Sequence, residues 1–159
     1  LFRMDTLLLS SERLSLFQTC LRQICSQGLN DSPELSLLTE QLQLDCQTLF
    51  QTSGPIRFNL RFLDAPMSLM LRYWKESESL PDDYWVEPLR SWLHELNPTQ
   101  GLRCGRVSGL FPTLLALQMR ATLRACRNHP VRLQLMVPGV CDVQELAWAR
   151  QLCRQICRE

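Results

Sequence analysis

The stretch from Ser108 to Asn128 constrains this chain most. Its first half is apolar on nearly every side, through Leu110, Phe111, Leu114, Leu115, Leu117 and Met119. A helix that is hydrophobic all round cannot lie on a surface, so this half is expected at the centre of the fold. Its second half becomes two-faced, with Ala121, Leu123, Ala125 and Cys126 set against Arg120, Arg124 and Arg127. The helix should therefore begin buried and emerge toward solvent carrying arginines.

The rest of the chain is patterned to surround such a helix. Leucine makes up about one residue in five and favours helices. Residues 10–28 read as an amphipathic helix through Leu14, Phe17, Leu21 and Ile24, with Gly28 as a left-handed stop. Ser32-Pro33-Glu34 places a cap, a first-turn proline and an acid at the start of the next helix, which carries Leu35, Leu38, Leu42, Cys46 and Leu49. These two segments predict an antiparallel helical hairpin. Further helices are expected from Asp64-Ala65-Pro66 through Trp74, from Pro88 to Leu96, and from Asp142 to Arg158.

Two runs break the helical period. Residues 56–62 and 131–137 alternate apolar and polar side chains strictly, as half-buried strands do, and Leu102 to Val107 is a weaker third candidate. A lone two-stranded ribbon is marginal in water, so it would need to lie against the helices. The competing reading makes these runs helical or extended links. The fold class is mainly α, a compact multi-helix domain opening with an antiparallel hairpin. If the two runs pair, a small two-stranded β element is added (α+β). The 159 residues fit one helical interaction domain over 1–159, read as a fragment of a longer protein.

The net charge of +1 hides a polarity. Residues 1–99 carry 8 basic and 13 acidic side chains, and residues 100–159 carry 9 and 3. Every basic residue except Lys75 is arginine, which suits bidentate contact with phosphate or carboxylate. Arg120, Arg124 and Arg127 share one helix face, and Arg150, Arg154 and Arg158 make a second row. Arg103, Arg106 and Arg132 lie close in sequence to the ends of the central helix. The two rows are candidates for contact with a protein partner or with phosphates, set against a plain solvated face. Tyr73, Trp74, Tyr84 and Trp85 flank an acidic loop and form a candidate aromatic surface for a partner, set against packing beneath that loop.

Catalytic signatures are missing. Gly101, Gly105 and Gly109 lie four apart without a P-loop lysine, and no nucleophile elbow, paired-histidine or kinase motif occurs. His94 and His129 are the only histidines. Cys126, His129, Cys153 and Cys157 have a spacing that a zinc site could use, but it is not a recognised finger pattern, so no metal is expected. The eight cysteines mostly sit beside leucines at helical spacing, which favours reduced core thiols over a secreted disulfide framework. No apolar run approaches the roughly 20 residues that span a bilayer.

These observations predict a non-catalytic scaffold or adaptor domain of an intracellular complex subunit, nuclear or cytoplasmic. It would bind another protein subunit and have no cofactor, small-molecule substrate or membrane. The alternative is a nucleic-acid-binding accessory domain that uses the arginine rows of the last two long helices.

Overall fold

The structure is a computed structural model that describes residues 1–53, 57–78 and 89–159. Its described elements run β1 (Phe2–Arg3), α1 (Asp5–Leu8), α2 (Leu14–Gln27), α3 (Pro33–Ser53), β2 (Arg57–Arg61), α4 (Met67–Glu78), α5 (Leu89–Leu93), α6 (Cys104–Leu110), α7 (Pro112–Cys126), β3 (Arg132–Met136) and α8 (Val143–Ile156). The chain is mainly helical with one small sheet.

The helical hairpin forms as its caps dictate. Gly28 ends α2 at φ 63°, a conformation that costs glycine little. Ser32 Oγ then accepts the Leu35 N–H at 3.1 Å to start α3. The antiparallel sense is visible at both ends. Arg13, just before α2, meets Asp45 late in α3 at 2.8 Å, while Gln23 near the end of α2 donates to Glu34 in the first turn of α3 at 2.9 Å.

The sheet differs from the expected two-stranded ribbon in two ways. It has three strands in the order β1-β2-β3, and both pairings are parallel. Residues 102–107 are not a strand: they run into α6. The parallel sense follows from the connections, because parallel neighbours need helical crossovers. Helices α1 to α3 join β1 to β2, and α4 to α7 join β2 to β3. The chain therefore opens on a strand of two residues, and the hairpin comes after it.

The period-two alternation sorts the sheet into two faces. Phe58 and Leu60 are buried among the helices, with the Phe50 ring of α3 standing edge-on to Phe58 at 5.0 Å. Arg57, Asn59 and Arg61 point the other way, in register with Arg132, Gln134 and Met136. Arg3 of β1 stands beside Arg61.

The apolar-all-round stretch is central, as its composition requires. Its first residues end α6, Phe111 interrupts the helix, and Pro112 opens α7, where Thr113 to Met119 are all buried. α7 lies against α3 in the most extensive helix–helix contact. Thr122 of α7 reaches Cys46 of α3 across this contact, Oγ1 to Sγ at 4.0 Å. One core runs from Met4 to Ile156. No helix among the described residues is long and apolar enough to cross a membrane.

Candidate functional site

In a parallel sheet whose strands alternate with helices, ligands are held at the carboxyl ends of the strands, where the loops converge. Here that edge is occupied by the residues leaving β1 (Met4, Asp5), β2 (Phe62 to Asp64) and β3 (Val137 to Cys141). The exits are held by continued pairing: the Met4 N–H donates to the Arg61 carbonyl at 2.8 Å, and Phe62 N–H to Met136 at 3.0 Å. From behind, the buried Gln118 of α7 accepts the Leu63 N–H at 2.8 Å.

Charge concentrates on this edge. Asp64 lies between two arginines from distant parts of the chain. Its Oδ2 takes Arg61 Nη1 at 3.0 Å, and its Oδ1 takes Arg103 Nη2 at 2.8 Å. Arg61 also donates to Asp5 Oδ2 at 3.0 Å, and the other oxygen of Asp5 accepts the Asp64 N–H at 2.9 Å. All four side chains are between 15% and 23% exposed, so the network is shielded enough to hold its geometry and open enough to meet a solute. Arg103 reaches it because Met67 N–H bonds the Leu102 carbonyl at 2.8 Å, joining the segment before α6 to the exit of β2.

Arg103 and Arg106 then line a cleft of roughly 530 Å³ together with Asp64, Thr99, Gln100, Gly139 and Cys141. Glu145 of α8 accepts the Cys141 N–H at 2.9 Å and so fixes the opposite rim. Arg106 differs from Arg103: among the described residues it has no ion-pair partner, and its buried Nε makes no hydrogen bond. A guanidinium with an open donor has the chemistry to bond an oxyanion, and Arg61 Nε is likewise without a hydrogen bond.

The side chains singled out from sequence lie elsewhere. Arg120 and Arg124 line a groove of roughly 400 Å³ between α3 and α7. Arg120 is held there by Glu159, through Nε at 2.8 Å and Nη2 at 2.9 Å. Arg127, Arg150, Arg154 and Arg158 are exposed, and none of them lines the cleft at the strand ends. Trp74 is 1% exposed and belongs to the core, whereas its neighbour Tyr73 faces outward. Tyr84 and Trp85 lie outside the described residues. Among the described residues no three His, Cys, Asp or Glu side chains gather as a metal-ligand set, so Cys126, His129, Cys153 and Cys157 are not brought together as one. The seven described cysteines are all free thiols.

Arg61, Asp64 and Asp5 carry no sequence signal that marks them as site residues, and Arg103 and Arg106 stand out in the sequence only as arginines near the end of the central helix. The nearest pattern is the arginine that ends the first alternating run, followed three residues later by an aspartate, together with the Arg103 and Arg106 pair lying among Gly101, Gly105 and Gly109. Nothing local in the sequence connects those glycines to Arg61.

The family model for the PEP-binding domain of PEP-utilising enzymes matches residues 1–159, the whole chain. No curated protein matches it. The family match overturns the expected non-catalytic scaffold or adaptor, the nucleic-acid-binding alternative, the assignment as a non-enzyme and the exclusion of a small-molecule substrate. Those expectations rested on missing catalytic motifs, and a site assembled by strand ends needs no local motif. With the match covering every residue, the chain belongs to the PEP-utilising enzymes, as their PEP-binding domain.

Proposed function

We propose that this domain holds phosphoenolpyruvate at the carboxyl edge of its sheet, in the cleft beside Arg61, Arg103 and Arg106. The observation that carries this reading is the Asp64 bridge, which fixes two guanidinium groups next to a third that has no ion-pair partner among the described residues. Phosphoenolpyruvate carries a phosphate and a carboxylate, and each suits the planar fork of an arginine. Arg3, in register with Arg61 on the open face of the sheet, adds a fourth positive charge. Asp5 and Asp64 neutralise two of the four, and the remainder matches an anion of two or more charges. The described elements share one core, and we take residues 1–159 as one domain within this reading.

The arginines contribute binding and orientation. Arg61 and Arg103 are held by carboxylates before any ligand arrives, so little side-chain entropy is lost on binding. Arg106 supplies the bonds that only a ligand completes.

The test is calorimetric titration of the chain with phosphoenolpyruvate. Losing one charge-assisted hydrogen bond costs about 1.5–3 kcal/mol, so Arg103→Ala and Arg106→Ala should each weaken binding roughly 10- to 100-fold. Arg154→Ala on α8 serves as the control and should leave affinity unchanged. Affinity that survives both cleft substitutions would place the ligand elsewhere.

A further inference from the structure

The seven described cysteines differ in surroundings. Cys20 and Cys46 are fully buried, and Cys141 is exposed at the strand ends. Cys153 and Cys157 share one face of α8, a single turn apart, where the Cys157 N–H donates to the Cys153 carbonyl at 3.0 Å. Helical residues at this spacing hold their Cβ atoms about 5–6 Å apart, and a disulfide needs about 3.5–4.5 Å. Closing the gap requires the helix to give way slightly, and it sits where it can. Cys157 is the C-cap of α8, and beyond it the bonds tighten to the i→i+3 pattern, Arg158 N–H to Gln155 at 3.0 Å and Glu159 N–H to Ile156 at 3.2 Å. Cys157 is exposed and Cys153 is half-buried against the core, so one sulfur meets solvent while the other is held behind it. Burial raises the Cys153 thiol from its ordinary value, and the neighbouring Cys157 adds to the rise.

We infer that Cys153 and Cys157 are a redox dithiol that closes to an intrahelical disulfide on meeting a small-molecule disulfide such as glutathione disulfide. Arg150, Arg154 and Arg158 lie exposed along the same helix and its end, and their positive charge attracts an oxidant carrying carboxylates. The reaction proceeds in two exchanges. Cys157 loses its proton to water, and its thiolate attacks one glutathione sulfur, breaking the glutathione S–S bond and releasing one glutathione thiolate. Cys153, deprotonated in turn, attacks the Sγ of Cys157 and expels the second. The protein gives up two electrons and two protons, and two molecules of glutathione carry them away. The site is separate from the cleft at the strand ends and stands whether or not phosphoenolpyruvate binds there.

The experiment equilibrates the folded chain with glutathione disulfide, blocks remaining thiols with N-ethylmaleimide in denaturant, digests with trypsin and reads the peptides by mass spectrometry. Cleavage at Arg150, Arg154 and Arg158 separates the two cysteines, so a disulfide appears as the peptides 151–154 and 155–158 joined, lighter by two hydrogens than their sum. Two fewer maleimide labels per chain are expected, and Cys157→Ser should abolish the joined species with the circular dichroism spectrum unchanged. Both cysteines recovered with maleimide, or Cys157 recovered with glutathione and no joined peptide, would overturn the inference.

Discussion

Glu95 occupies the space that a side chain on Gly101 would need: a Cβ built on that glycine falls inside the Glu95 carboxylate. The contact has a purpose in the chain's geometry. The same carboxylate accepts the Leu102 N–H at 2.8 Å, and Leu102 is the residue whose carbonyl ties this segment to Met67. Two residues beyond Gly101 comes Arg103, so the missing side chain allows the carboxylate to hold the backbone that delivers a cleft arginine.

Gly101→Ala should therefore drive Glu95 outward and leave the Leu102 N–H unsatisfied. Because the carboxylate is the end of a flexible side chain, the protein should still fold, losing about 1–3 kcal/mol, the cost of an unpaired polar group. Phosphoenolpyruvate affinity should fall as Arg103 loses its support. Thermal melts and calorimetric titration check both; unchanged affinity in the folded variant would separate the Glu95 contact from the cleft.

Asp64→Ala should cost more than removing Arg103 alone, since it takes a carboxylate from two guanidinium groups at once, leaving Arg61 its bond to Asp5 and Arg103 its bond to the carbonyl of residue 64. Breaking a fully buried pair costs about 3–5 kcal/mol, and these side chains keep some exposure, so about 2 kcal/mol is expected. Urea titration of Asp64→Ala, Arg61→Ala and Arg103→Ala gives the ordering. A smaller loss in Asp64→Ala than in Arg103→Ala contradicts the bridge.

The Arg120 and Glu159 pair should leave a trace in the acid limb of stability. The Arg120 hydrogen bonds hold the Glu159 carboxyl below its usual 4.5. A depressed acid adds stability that is present above its unfolded value and is lost as pH falls through the folded one, so the loss begins below about pH 4.5. Both side chains are about a third exposed, and solvent screening limits the contribution to roughly 0.5 kcal/mol. Glu159→Gln should show a flatter profile than the unmodified chain when denaturation midpoints are compared at neutral pH and at pH 3.

Thiol chemistry should divide the cysteines by depth. Burial pushes the Cys20 and Cys46 thiols up to about 12, so the nucleophilic thiolate is scarce at neutral pH. A native-state titration with a coloured aromatic disulfide should label Cys141 and Cys157 quickly and leave Cys20 and Cys46 unlabelled until denaturant is added. Rapid native labelling of Cys46 would mean that the α3–α7 contact opens readily.

Much of this architecture was legible in short windows of sequence. Hairpin caps, the central apolar helix and the two alternating runs all depend on residues within a few positions of one another. Local physics decides those: a proline after a serine, a glycine at positive φ, a period of two in place of 3.6. The second arginine row and Trp74 were legible as helical positions too, yet not as surface or core, because which face of a helix is covered depends on its neighbours.

Only the tertiary structure decided the strand pairing and the site. β1 has two residues, too few for any periodicity, and the parallel sense depends on crossovers that carry each strand past several helices. Asp5, Arg61, Asp64 and Arg103 are separated in sequence by up to 98 positions, read from their numbers. They meet because parallel strands end on one edge, and no local pattern encodes that edge. Sequence alone determined the main helices and marked the two alternating runs, through side-chain periods and caps, because those depend on neighbours within a few positions. The fold determined where the arginines stand, bringing Arg61 and Arg103 to Asp64 at the strand ends and leaving Arg150, Arg154 and Arg158 exposed along α8 and its end.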